Sequence, residues 1–294
     1  MLIFVDGLGL GERDVTKNPL ARADLRWLKV FQGEEPPATL PPREVMSTDA
    51  TLGFPGLPQS ATGQASLLTG LNAPALIGRH INGFCTPELA KLLDGRSLFI
   101  RLQAQGLRVA FANAYSPPFF EGRNHLRSVT TVAAEKAGMT FRNLWDLERG
   151  EAVYQDFTNQ VLIERGYPVT RLDPREAGRR LARIASAYDF TLYEYFQTDL
   201  AGHRQEMEYA VSLLEKLEAF LDAALGEVDL ERNLVILASD HGNVEDLSTK
   251  AHTRNPVPTI LWGKGAAQVA SGIRAITDLA PAVLSSLSKD HWCH

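Results

Sequence analysis

The run Leu234-Val-Ile-Leu-Ala238, closed at once by Ser239-Asp240-His241-Gly242, constrains this chain more than any other stretch. An apolar run of that length between polar residues reads as a buried strand, so Asp240 and His241 stand where a strand stops. In open α/β sheets that edge is where ligands bind. Two further runs repeat the pattern. Leu2-Ile-Phe-Val5 leads directly into Asp6-Gly7, and the alternating run Phe190-Thr-Leu-Tyr-Glu-Tyr-Phe196 leads into Thr198-Asp199, with His203 four residues after Asp199. His252 follows His241 by eleven positions and precedes another apolar run, Thr259-Ile-Leu-Trp262. Ionised Asp and neutral His suit zinc, manganese or iron. Any one of these groups reads equally well as a capping or solvated turn; the agreement of three strand ends is what points to metal.

The rest of the chain alternates between strand and helix signals. Leu20, Leu25, Leu28 and Phe31 carry helical spacing over Asn18–Phe31, and the prolines from Pro36 to Pro42 mark a surface loop. Glycines and prolines force Leu52–Gln59 into an irregular loop, after which Ala61–Leu68 looks helical. Ser60 therefore sits at or beside a helix N-terminus, where free N–H groups favour an anion. Such a serine is a plain N-cap or, next to a metal cluster, a candidate nucleophile. Helices are predicted over Pro87–Leu93, Ser97–Gln105, Pro174–Tyr188, Met207–Leu225 and Ile276–Leu284, and a strand over Leu107–Ala112. This gives an α/β core of residues 1–113 and 174–294. Between them, 114–173 loses the alternation and gains Arg, Asn and aromatic residues, which reads as a small inserted cap.

Composition narrows the function classes. A net charge of -5 with no basic face argues against nucleic acid or an anionic membrane as partner. No apolar run approaches the length of a membrane span, and Leu2–Val5 is too short for a signal sequence. Cys85 and Cys293 lack the paired spacing of a zinc or redox motif, which fits a reducing cytoplasm. Gly7-x-Gly9-x-Gly11 partly matches a dinucleotide turn and keeps a nucleotide-binding oxidoreductase as a distant alternative, although Asp6 would face the phosphates. A metal-binding module without catalysis is another.

Taken as an ordered set, Asp6-Gly7, Leu52-Gly-x-Pro ahead of Ser60-x-x-Gly, Asp199-x-x-Gly-His203, Ser239-Asp-His-Gly-Asn and His252-Thr-x-Asn-Pro-Val-Pro resemble the alkaline-phosphatase superfamily. Within it they are most similar to the cofactor-independent phosphoglycerate mutase and phosphopentomutase branch, as are Asn18-Pro-Leu-Ala and Thr277-Asp-Leu-Ala-Pro281. The resemblance covers both ends and the core but not the middle. It implies a three-layer α/β/α fold with a mostly parallel sheet and two divalent metal ions, manganese as in the mutases or zinc as in the phosphatases. Asp6, Asp240, His241 and Ser60 would hold one ion, and Asp199, His203 and His252 the other. Ser60 would be the nucleophile that becomes phosphorylated. Two departures bear on the reaction: Gln64 stands where the mutases have His, and the chain is shorter than a mutase in its cap. Because a mutase must exclude water while phosphate returns to its substrate, a phosphatase or phosphodiesterase acting on a small phosphorylated metabolite ranks ahead of a phosphoglycerate or phosphosugar mutase. Gln64 with Arg79, Arg123, Arg127 and Arg142 are candidates for gripping that substrate, since Arg offers a bidentate fork; surface placement is the alternative for each Arg.

Overall fold

The computed structural model describes residues 1–122 and 126–288. Six strands form one sheet: β1 (Leu2–Val5), β2 (Arg43–Thr48), β3 (Val109–Phe111), β4 (Phe190–Tyr195), β5 (Leu234–Ala238) and β6 (Val257–Gly263), in the spatial order β2-β6-β5-β1-β4-β3. β5, β1, β4 and β3 run parallel, while β6 is antiparallel to both of its neighbours. The expected mostly parallel sheet is therefore present.

Strand parity sorts the core into two halves, because successive side chains leave a strand on opposite faces. Ile3, Val5, Tyr193, Tyr195 and Leu237 pack on one face with the helices Pro174–Ser186 and Met207–Glu227. Leu2, Phe4, Leu192, Ile236 and Ala238 pack on the other with Ser60–Thr69, Leu98–Ala104 and Leu279–Leu287. Helices thus cover both faces, the three-layer arrangement. β4 is buried along its whole length, as expected of a central strand in such a sheet. No helix among the described residues is long and apolar enough to cross a membrane.

Register places the functional edge. Phe4 lies opposite Ala238 in β5 and Glu194 in β4, so the three parallel strands end nearly level. Asp6, Asp240 and the helix after β4 emerge side by side.

Two local expectations differ from the structure. Asn18–Phe31 is not a helix; only the short turn Pro19–Ala21 is helical. Beyond it Ala23, Leu25 and Trp27 are buried in alternation with exposed Arg22, Asp24 and Arg26, the period of extended chain. The buried Glu218 carboxylate accepts the N–H groups of Arg26, Trp27 and Leu28, which replaces an intrahelical ladder. The second difference is β2, an edge strand whose half-exposed Arg43-Glu-Val-Met-Ser-Thr48 has too little apolar alternation to be recognised.

Residues 114–173 hold the short helices Pro117–Phe120, Val129–Lys136, Leu144–Glu148 and Gln160–Glu164. Val129, Ala133 and Ala134 join the main core, whereas Ala114, Leu147, Ala152, Tyr154 and Leu162 form a small cluster of their own.

Candidate metal centre

Each ligand candidate is positioned by the element that ends or begins at it. Asp6 leaves β1 with its N–H bonded to Tyr195 O at 2.9 Å, and its carbonyl accepts the Thr198 hydroxyl at 2.5 Å. Asp199 lies in the first turn of the helix Gln197–Arg204 and His203 in its last, so their four-residue spacing puts both on one face. Asp240 and His241 follow β5 and are completely buried, at 0% exposure. His252 reaches the site from the loop between β5 and β6, and Ser60 is the first residue of the helix Ser60–Thr69.

The side chains converge. His241 Nε2 lies 2.9 Å from Ser60 Oγ, 3.0 Å from Asp6 Oδ1 and 3.8 Å from Asp240 Oδ2. Asp199 stands 3.4 Å from both His203 Nε2 and His252 Nε2, and those two nitrogens are 3.3 Å apart. The His241 and His252 rings stack at 3.8 Å, joining the halves. Two groups have ligand atoms within 4.8 Å of one another: Asp6, Asp240 and His241, and Asp199, His241 and His252. His241 lies between the two, and the half-exposed His203 borders the second.

Whether these residues suit cations can be tested on their hydrogen bonds. A backbone carbonyl only accepts, so His203 Nδ1, 2.7 Å from Lys250 O, and His252 Nδ1, 2.9 Å from Pro58 O, carry the ring protons. Both Nε2 lone pairs then face the site, the orientation of metal-ligating imidazoles. Both carboxylate oxygens of Asp240 are buried without a hydrogen-bond partner, and Asp6 Oδ1 has only the His241 ring beside it. A buried anion without donors is costly unless a cation balances it.

Titration reflects the same deficit. Burial, with the Asp6 charge adding, pushes Asp240 well above the usual carboxylate range. For His241 burial alone acts downward, but Asp240, Asp6 and Asp199 outweigh it and carry the imidazole up to about 10. Burial likewise acts to raise Asp199, yet the His252 side chain beside it, the His241 charge and Asn243 bring it down to about 2.

Sequence reasoning missed the residues that hold these loops together. Buried Glu245 accepts from Gly9 N at 3.0 Å, Asn243 N at 2.7 Å, Asn255 Nδ2 at 3.0 Å and the Thr253 hydroxyl. Asn243 Nδ2 in turn donates to Asp199 Oδ1 at 2.7 Å. Glu245 follows Asn243 in the strand-end motif, but nothing local marks it as the acceptor that ties the loop after β1 to both ends of the β5–β6 loop. The glycine turn has a matching explanation: a Cβ on Gly9 would lie 2.2 Å from the Glu245 carboxyl carbon. That glycine makes room for a carboxylate, an anion where a dinucleotide turn would need a pyrophosphate.

Gln64 is buried one turn beyond Ser60, with Oε1 unpartnered. The arginines are placed differently. Arg79 pairs with Glu88 on the surface. Arg127 pairs with Glu135 at 3.1 Å and lies over Phe119. Arg142 donates to Phe111 O and Tyr188. The structure brings none of these three into hydrogen-bond contact with the ligand residues, and Arg123 lies outside the described residues. Cys85 is a free, half-buried thiol that burial pushes up to about 11; Cys293 also lies outside the described residues.

Comparison with known proteins gives a family match over part of the chain and a shared fold over nearly all of it. Residues 158–288 match the family model described as Metalloenzyme superfamily, a span that includes Asp199, His203, Asp240, His241 and His252. The 2,3-bisphosphoglycerate-independent phosphoglycerate mutase of Dinoroseobacter shibae is 33% identical over 112 residues, 35% of this chain and 22% of that protein. The enzyme of the same name from Acetivibrio thermocellus is 34% identical over 107 residues, covering 34% and 20%. The aligned part thus spans about a fifth of these relatives' length. Among solved structures, a Pyrococcus horikoshii protein superposes with a TM-score of 0.59 at 16% identity, covering 98% of this chain and 96% of that one. The alkaline phosphatase from the Antarctic bacterium TAB5 gives 0.55 at 12% identity, with 98% of both chains covered. The resemblance to the alkaline-phosphatase superfamily carried by the motifs is therefore borne out, by a metalloenzyme-superfamily match over 158–288 and an alkaline-phosphatase-like fold along nearly the whole chain.

Proposed function

We propose that this chain is a two-metal phosphoryl-transfer enzyme with Ser60 as nucleophile, acting as a phosphatase or phosphodiesterase on a small phosphorylated metabolite. The observation that carries the proposal is Asp240, whose two buried oxygens lack any donor beside Asp6 and His241. Asp6, Asp240, His241 and Ser60 would hold one ion, and Asp199, His203 and His252 the other; mixed Asp and His ligands suit manganese or zinc. Bound there, the two cations would lower the cost of forming a serine alkoxide and offset charge on the transferring phosphoryl group.

The chain's own groups supply the rest. Ser60 opens a ten-residue helix, so its oxygen sits in the positive end of the helix dipole, which favours the alkoxide and an attached phosphate. Ser60 Oγ bonds to phosphorus as the ester oxygen departs with its electron pair and takes a proton. Water then adds to the phosphoserine, and the Ser60–phosphorus bond breaks to release phosphate. Gln64, one turn on, offers its amide to a phosphate oxygen. Glu245 and Asn243 fix the loops that carry the ligands.

Elemental analysis and phosphate release from an aryl phosphate test this directly. Ser60→Ala, which keeps every Asp and His ligand, should lose roughly a thousandfold or more in kcat; full activity in that variant would sink the nucleophile assignment. A mutase is the second reading, favoured by the 33% identity over 112 residues to a phosphoglycerate mutase. Its signature is an isomerised ester rather than free phosphate.

A further inference from the structure

The helix Gln197–Arg204 carries two of the ligand candidates, Asp199 and His203, yet it begins without a cap of its own. Phe196 stands at its N-cap position and offers no side-chain acceptor to the N–H groups of the first turn, where Ser, Thr, Asp or Asn would ordinarily fix the start. Two side-chain bonds hold that turn instead. The Thr198 hydroxyl donates to the Asp6 carbonyl, within the core, and the Gln197 amide donates to the amide oxygen of Gln155. Gln155 belongs to the inserted segment 114–173, which supplies none of the candidate ligands. The first turn of a ligand-bearing helix is thus tied to a part of the chain outside the metal centre.

The tie is stiff on the side of the insertion. Val153 forms a parallel bridge with Asn113, and the Tyr154 carbonyl accepts the Tyr193 hydroxyl at 2.9 Å. Phe157 is 1% exposed and stacks on Tyr195 at 5.0 Å and on Phe220 at 4.7 Å. Its φ of 43° lies in the left-handed region, which a bulky residue keeps only when its surroundings impose it. Gln155 therefore hangs from a stretch anchored on both sides. Both amides are buried, and breaking their bond would strand a donor and an acceptor. The pair forms part of the wall of a cavity of about 570 Å³, lined also by Glu194, between the insertion and the ends of β3 and β4.

Resting on the two-metal reading above, we infer that Gln155 is a positioning residue for the second metal site: through Gln197 it sets the first turn of the helix that carries Asp199 and His203, and so couples the insertion to that site. Asp199 and His203 share one rigid helix, so a shift of its start displaces both against His252, which Pro58 O holds from another loop. The first site is insulated. No hydrogen bond among the described residues joins the side chains of Asp6, Ser60, Asp240 or His241 to the insertion. Coupling of this kind is reciprocal: an ion that fixes Asp199 and His203 also tightens the insertion around residue 155.

Manganese(II) binding to the full chain, by competition with a chelator, tests the inference alongside amide hydrogen exchange. Gln155→Leu should weaken the ion that Asp199→Asn removes by about tenfold. The ion that Asp240→Asn removes should change by less than about threefold. Gln155→Leu combined with Gln197→Leu replaces both amides by apolar groups of similar size, so the metal-free unfolding midpoint should return toward that of the parent chain. The second ion should nevertheless stay about tenfold weaker in this double variant, because both changes remove one and the same bond. In the parent chain saturating manganese should slow exchange at residues 154–159, and in both variants that slowing should vanish. Recovery of the second ion's affinity in the double variant, equal weakening of both ions, or metal-dependent protection that persists without the amide pair would overturn the assignment. A parent chain that binds no manganese would instead remove the metal-centre reading, and this inference with it.

Discussion

Two buried carboxylate regions, one against a face of the sheet and one at its C-terminal edge, are handled in opposite ways. On the face covered by Met207–Glu227, Glu218 is 9% exposed and receives three backbone N–H groups, those of Arg26, Trp27 and Leu28. At the C-terminal strand edge Asp240 is fully buried and receives none, and Asp6 Oδ1 has only the His241 ring beside it. A buried acid that serves the fold comes with donors. One that lacks them, beside two more acids and three imidazoles, is set up for a counter-ion from outside the chain. Glu245 is intermediate, since it serves the fold locally but does so for the ligand loops themselves.

The strongest way to break this comparison is Asp240→Asn. Phosphate release should fall by roughly a thousandfold or more, while the metal-free protein should unfold at an equal or higher temperature because a buried carboxyl group without hydrogen-bond donors is gone. A large loss of metal-free stability instead would make Asp240 a structural acid like Glu218. The reciprocal change, Glu218→Ala, leaves three N–H groups without an acceptor and should cost about 2–5 kcal/mol in urea unfolding, with the activity of the folded fraction unchanged.

Glu245→Gln should have a smaller, mixed effect. An amide would set N–H groups against existing donors, the ligand loops would loosen, and metal affinity should fall about 10–100-fold by competition with a chelator. The mildest effect is on pH dependence without metal. The folded pKa of His241, about 10, lies above its ordinary 6.5, so the folded state holds a proton that the unfolded chain gives up. That contribution is fully present below 6.5 and is lost as pH rises toward 10. Thermal melts in chelator should therefore decline across that window, and saturating metal should flatten the decline.

The same contrast explains what the sequence made legible. Asp6, Asp199 and Asp240 could be found because each interrupts an apolar run, and β5, β1 and β4 are hydrophobic enough to be recognised alone. Glu194 was hidden, since an acid inside the alternating run Phe190–Phe196 looks like an outward-facing strand residue, whereas β4 is buried on both faces. Glu218 was hidden for a related reason. It sits on a helix with a clear leucine face, and the extended segment it supports shares its i, i+3 apolar spacing with a helix. Hydrogen bonds between residues some two hundred positions apart leave no mark on local periodicity, so Glu245 and Asn243 emerged only once the loops met in space.

The most direct test of the account is the metal content of the purified chain after reloading and dialysis, measured beside Asp240→Asn. About two divalent ions per chain, with one lost in the variant, is the predicted result. A chain that binds no divalent ion at micromolar concentrations, with Asp240 carrying no more metal than its Asn replacement, would contradict it.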